Sequence, residues 1–234
     1  MPWTETRHAN AEALAAAVAT RLSAMLDEAI AARGAATLAL AGGRTTPPIL
    51  RHLAAESRDG SKLTILPTDE RWVPAVHADC NLRQLRESFA GVDGVRWVAL
   101  VPERPRGKAD AAFANAMLAT VDAAFDACLL GMGGDGHFGS LFPGAANLDE
   151  ALDPGSADAA MAIVPDPMPA AGPHPRISLS LARLLHSRQI ILAVTGNEKH
   201  TVLARAMREN DPMHLPIAAL LHAAGSHVEI HWSL

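Results

Sequence analysis

The stretch RQIILAVTGNEKHTVLARAM, residues 188–207, decides the fold. An apolar run stops at Thr195-Gly196, and apolar residues at helical spacing take over. That reads as a strand, a glycine turn and a helix. Further apolar runs stand at 36–41, in KLTIL (62–66), in VRWVAL (95–100), in FDACLLGMGG (125–134) and in HVEIHW (227–232). Short apolar runs alternating with helical stretches describe a parallel sheet covered on both faces. The expected class is therefore α/β, an open, mostly parallel sheet with helices on both sides.

Near the N-terminus, Leu14, Val18, Leu22, Met25, Leu26 and Ile30 recur at helical spacing, with Asn10 as N-cap and Gly34 as stop. The proline-crowded segment VPDPMPAAGPHPR, 164–176, reads as an irregular surface loop rather than a linker. With no internal repeat, residues 1–234 are expected to form a single domain.

Composition narrows the function. Of 234 residues, 49% are hydrophobic and 19% charged, enough for a sizeable core. A net charge of -5, with scattered Lys and Arg, gives no footprint for nucleic acid. Glu5, Glu12, Arg21, Asp27 and Glu28 interrupt the alanine-rich N-terminus, which is neither a signal peptide nor a membrane span. Cys80 and Cys128 form no CxxC, which argues against a disulfide framework and for a reducing cytoplasm.

In such sheets, ligands bind outside the carboxyl ends of the strands. Four glycine-rich or polar loops follow the apolar runs here: AGGRTT, TDER, GMGGDGH and TGNEK. One shared pocket is expected at that edge.

Within LLGMGGDGHFGSLFPG, residues 129–144, Gly131, Gly133 and Gly136 spell the dinucleotide pattern GxGxxG. A true fingerprint opens a helix and needs an acid about 20 residues on. Here Pro143 and Gly144 soon break any helix, and no strand carries a suitable acid, so nucleotide binding is not expected. Two readings remain for Asp135 and His137. Either Asp135 caps a turn while His137 packs, or His137 is a general base whose tautomer and charge a carboxylate supports. Ser140 lacks the GxSxG context of a nucleophile.

Gly42 and Gly43 follow a strand and offer N–H groups to an anion or carbonyl oxygen, or simply form an ordinary turn. No GK[ST] follows, which excludes a Walker loop. Lys199, at a helix start, suits a phosphate, though alone it would read as a surface residue. The chain has 11 histidines. His227 and His231 lie four apart in an apparent strand, and His174, His200, His214 and His222 show no ligand spacing. Neither a metal nor another cofactor is expected.

Together, AGGRTTPP (41–48), TDERWVP (68–74), LLGMGGDGHFGSLFPG, PRISLSLARLL (175–185) and LAVTGNEKHTVL (192–203) resemble the 6-phosphogluconolactonases, in order over nearly the whole chain. The resemblance implies a Rossmann-like open sheet. It also implies hydrolysis of a sugar-phosphate lactone in the oxidative pentose phosphate pathway, without metal or nucleotide. It makes His137 the base and Asp135 its support, with Gly42 and Gly43 lining the sugar or the oxyanion. Arg71, Arg176 and Lys199 fall on basic positions that would hold phosphate, and Asp69 and Asn81 (in DCNLR) join the substrate site. The chain departs from the pattern in three places. The proline of the glycine loop is displaced by one residue, Arg44 replaces a small hydroxyl residue and could join the phosphate site, and Cys80 stands where serine is expected. A monomer or small homo-oligomer is expected, with no nucleic-acid or membrane partner. An amino-sugar-phosphate isomerase or deaminase and a non-catalytic sugar-phosphate sensor are the competing readings.

Overall fold

A computed structural model describes residues 3–56, 58–121, 123–170 and 172–234. The elements run β1 (Trp3–Arg7), α1 (Ala11–Arg33), β2 (Ala36–Leu40), α2 (Thr46–Ala55), β3 (Leu63–Pro67), β4 (Asp69–Arg71), α3 (Asn81–Ser88), β5 (Arg96–Trp97) and α4 (Ala112–Leu118). They continue with β6 (Ala127–Gly131), α5 (Leu148–Ala151), β7 (Ala160–Ile163), β8 (Arg176–Leu179), α6 (Leu181–Leu185), β9 (Ile190–Thr195), α7 (Asn197–Arg208), α8 (Ile217–Leu221) and β10 (Val228–Ser233). Seven strands form one sheet in the order β1-β10-β9-β6-β2-β3-β5. Every pairing in it is parallel.

The central strands are apolar on both faces because both faces are covered. In β2, Ala36, Leu38 and Leu40 pack into one core cluster while Ala39 joins the other. In β9, Ile191 and Ala193 alternate in the same way with Ile190, Leu192 and Val194. α1, α2 and α3 supply Leu22, Leu50 and Leu85 to the first cluster; α6, α7 and α8 supply Leu184, Leu203 and Leu220 to the second. The period of two along each strand thus sends alternate residues into two separate helical layers. α1 behaves as its sequence requires: the Asn10 side chain accepts the Ala13 N–H at 2.8 Å, and the helix closes at Gly34.

Sequence reading and structure differ in three places. VRWVAL yields a paired strand of only two residues, Arg96–Trp97. β1 was not anticipated, because WTETR is largely exposed and lacks an apolar face; it is an edge strand held by parallel pairing to β10. A second, three-stranded antiparallel sheet, β4-β8-β7, was also not anticipated. Its strands are three or four residues long, too short for a periodic signal. Among its described residues, the proline-rich segment carries no regular structure up to Pro175, and its last residue, Arg176, opens β8. Among the described residues, no helix is long and apolar enough to cross a membrane.

Leu38 is fully buried in the sheet centre. Leu38→Ala is expected to cost about 2–5 kcal/mol of stability, read from a lowered urea midpoint at unchanged m-value. A loss below about 1 kcal/mol would contradict the packing described.

Candidate active site

The order of the large sheet reverses at β2: β3 lies on one side of it and β6 on the other. Loops leaving the carboxyl ends of β2 and β6 must diverge, and a crevice opens between them. A cavity of about 540 Å³ occupies that edge. Its walls come from the loop after β2, from β4 and the start of α3, from the loop after β6, from Arg176 on β8 and from Lys199 on α7. Gly42, Gly43, Arg44, Asp69, Arg71, Asn81, His137, Arg176 and Lys199 all line it, while Asp135 reaches the cavity through its bond to His137.

The loop after β6 folds back on itself, with the Gly133 N–H donating to the His137 carbonyl at 2.9 Å. Asp135 does two jobs here. One carboxylate oxygen accepts the His137 backbone N–H at 3.2 Å and also meets His137 Nδ1 at 2.6 Å. One oxygen of Asp135 therefore both caps the turn and holds the imidazole. A carboxylate on Nδ1 keeps the proton there and leaves the Nε2 lone pair free. Burial pushes the Asp135 carboxyl up, but the bond and charge of His137 outweigh it, and its pKa lies below the ordinary value. Gly133 has to be glycine, since a Cβ there would overlap the His137 ring and the Asp135 carboxylate. The Phe142 ring covers His137, with centroids 4.1 Å apart.

Ser140 is unavailable as a nucleophile. It is fully buried, and its hydroxyl donates to Asp69 Oδ2 at 2.5 Å. Asp69 also fixes Asn81, whose Nδ2 donates to the Asp69 carbonyl at 2.8 Å. Glu70 points the other way. Its carboxylate accepts the N–H groups of Arg71, Asn81 and Leu82 at 2.7–2.8 Å, so it anchors the start of α3. Burial raises its pKa, and these three donors oppose that rise without cancelling it. Glu70 does not line the cavity. Sequence reading did not foresee its anchoring role, because the contact joins residues on two separate elements.

The cavity is cationic. Arg71 and Arg176 sit directly opposite each other across the β4–β8 pairing, an arrangement that is repulsive unless something intervenes. Arg176 is 3% exposed, and burial lowers its pKa, with Arg71 adding to the effect and Asp69 opposing it. Lys199 shows the same pattern: burial first and then Arg44 lower its pKa, while Asp135 opposes. Lys199 also sits in the first turn of α7, where a cation opposes the helix dipole and an anion is favoured.

Two buried polar atoms facing this region lack partners among the described residues: Arg71 Nε and Asn81 Oδ1. Asn81 is 1% exposed, and a Cβ on Gly42 would overlap its carboxamide. Sequence reading missed Thr45, Phe142 and Pro169 as wall residues. Thr45 lies within the glycine motif and could have been found there; Pro169 gave no signal inside its proline-rich segment. The one group of three ligand-type side chains among the described residues, His77, Asp79 and His174, contains none of the cavity-lining residues.

Comparison with known proteins follows the same outline. Residues 9–232 match the model of the family described as glucosamine-6-phosphate isomerases/6-phosphogluconolactonase. A 6-phosphogluconolactonase of Rhizobium meliloti is 36% identical over 226 residues, covering 96% of each chain. One of Pseudomonas putida is 37% identical, covering 96% of this chain and 90% of its own. A crystal structure of a 6-phosphogluconolactonase from Shewanella baltica superposes with a TM-score of 0.90 at 33% identity, over 99% of this chain and 97% of that one.

Gly42→Ala should displace the Asn81 side chain and break its bond to Asp69. The expected cost is about 1–3 kcal/mol, read as a lowered Tm. An unchanged Tm with Asn81 in place would show the contact is looser than described.

Proposed function

The chain belongs to the glucosamine-6-phosphate isomerase/6-phosphogluconolactonase family, and on that premise we propose that it works as a 6-phosphogluconolactonase. It hydrolyses 6-phospho-D-glucono-1,5-lactone to 6-phospho-D-gluconate, a step of the oxidative pentose phosphate pathway, in the cytoplasm and as one catalytic domain. The observation that carries the mechanism is the 2.6 Å bond between His137 Nδ1 and Asp135 at the rim of a cationic cavity.

His137 Nε2 takes a proton from water as the water oxygen bonds to the lactone carbonyl carbon. The resulting imidazolium is stabilised by the Asp135 carboxylate, which stays ionised. Backbone N–H groups of Gly42 and Gly43 receive the oxyanion. The tetrahedral intermediate then collapses: the bond from carbon to the ring oxygen breaks, and His137 returns its proton to that oxygen. A δ-lactone is an activated ester, so no covalent nucleophile is required, in keeping with the sequestered Ser140. General-base help is worth about 10²–10⁴ in rate, and each aimed oxyanion donor about 10²–10³.

Arg44, Arg71, Arg176 and Lys199 form the phosphate clamp. Each cationic pair repels itself, and a dianion between the members converts that repulsion into attraction. Lys199 leads, because the N–H groups of the α7 first turn act with it. Asn81 Oδ1 accepts a sugar hydroxyl and Arg71 Nε donates to the ligand, which satisfies both orphaned atoms.

Deamination of an amino sugar phosphate is the weaker reading. In the related deaminases an Asn-Glu-Pro element follows the Asp-Gly-His loop, and aligned on it this chain presents Leu141 and Phe142. Leu141 is fully buried, and Phe142 lies on the His137 ring. The nearby Glu70 is committed to the start of α3.

His137→Gln is expected to lower kcat by at least ~10²-fold with the fold intact by circular dichroism. Near-normal turnover in that variant would remove His137 as the base. Asp135→Asn should lower kcat in the same direction, through lost orientation and charge. Lys199→Ala and Arg176→Ala should raise KM for the phosphorylated lactone far more than for glucono-1,5-lactone. Equal damage to both substrates would assign these residues to structure rather than to the clamp.

A further inference from the structure

Beside the cavity, two segments distant in sequence bring together three side chains that no step of the mechanism uses. His77 and Asp79 lie in the loop before α3, and His174 lies in the proline-rich segment before β8. His174 Nε2 stands 3.0 Å from Asp79 Oδ2 although the residues are 95 apart in the chain. His77 Nδ1 is 4.0 Å from the same oxygen. One ligand atom from each of the three residues falls within a common 4.8 Å, and the two imidazoles meet edge to face with centroids 5.3 Å apart.

We propose that His77, Asp79 and His174 form a binding site for a zinc-class divalent cation, acting as a clip between the two loops on the cavity rim. Two imidazoles and one carboxylate are a donor set suited to such ions, with water completing the tetrahedron on the open side. Ligand atoms on one tetrahedral zinc lie about 3.3 Å apart, given bonds near 2.0–2.1 Å. The two separations from the Asp79 oxygen, 3.0 and 4.0 Å, lie on either side of that value.

The backbone behind the ligands is already fixed. Arg71 Nη1 donates to the Asp79 carbonyl at 2.6 Å. Arg176 donates to the His174 carbonyl through Nε at 3.1 Å and to the Gly172 carbonyl through Nη2 at 2.7 Å. Outer-shell bonds of this kind orient metal ligands. The His77 Nδ1 lone pair accepts the Asp79 N–H at 3.1 Å, a bond that the metal would replace. Metal binding requires His174 to carry its proton on Nδ1, a tautomer change that a partly exposed imidazole makes freely. The two guanidinium groups oppose a cation at this place, which lowers the expected affinity. None of the three lines the cavity that His137 lines, so their role is to tie the loops, not to activate water.

The test is titration of the purified, chelator-treated full chain with zinc chloride, followed by calorimetry and by Tm. The expected result is one zinc per chain, with a rise in Tm on saturation. Affinity should fall at least ~10-fold in His77→Ala, in His174→Ala and in the near-isosteric Asp79→Asn, each with a wild-type circular dichroism spectrum. His214→Ala, which removes an exposed imidazole paired with Asp211, should bind zinc as the wild type does. Absence of saturable uptake would overturn the proposal. So would uptake that survives all three substitutions, or that disappears in His137→Ala instead.

Discussion

The reversal of strand order at β2 is the constraint on which the rest depends. Once the strands are parallel and buried on both faces, every connection between them has to pass through a helical layer. Loops at the carboxyl edge then carry the residues that the sheet interior cannot accept. Where neighbouring connections leave in opposite directions, those loops part, and the crevice between them is a consequence of topology. The glycine loop after β2 and the Asp135–His137 loop after β6 face each other for that reason.

Electrostatics then specialises the crevice. Four cations share its walls with Asp69, and each of the two cationic pairs works against itself. Burial strengthens that repulsion, because a partly excluded solvent screens it less. The chain tolerates the arrangement by spending guanidinium hydrogen bonds on backbone carbonyls: Arg71 on Asp79, and Arg176 on Gly172 and His174. Among the described residues of the crevice, one buried donor, Arg71 Nε, and one buried acceptor, Asn81 Oδ1, keep no protein partner, which suits the proposed substrate. Glu70 serves the site indirectly, since its three N–H partners set where α3 begins and hence where Asn81 stands.

Much of this was legible in the sequence, and the remainder has physical reasons for its silence. Buried parallel strands announce themselves as apolar runs, so β2, β3, β6, β9 and β10 were readable, as was α1 with its Asn10 cap. Edge strand β1 and the small β4-β8-β7 sheet were not, because exposure and shortness remove the periodicity that such reading uses. Gly42, Gly43, Asp135, His137 and Lys199 drew notice because loops rich in glycine and charge stand out after apolar runs, whereas Arg44, Asp69, Arg71, Asn81 and Arg176 were named only through the family resemblance. Glu70, Pro169 and the His77–Asp79–His174 cluster were invisible, for they take their meaning from neighbours that only the fold supplies.

The central claim is that His137 with Asp135 opens a phosphorylated lactone, and that the apolar Leu141–Phe142 step leaves no acid for amino-sugar ring opening. One paired measurement tests it most directly. Pure protein is incubated separately with 6-phosphogluconolactone and with glucosamine 6-phosphate, and acid release above the spontaneous rate and ammonia release are followed. The account predicts rapid acid release from the lactone and no ammonia from the amino sugar. Ammonia production without accelerated lactone opening would contradict it.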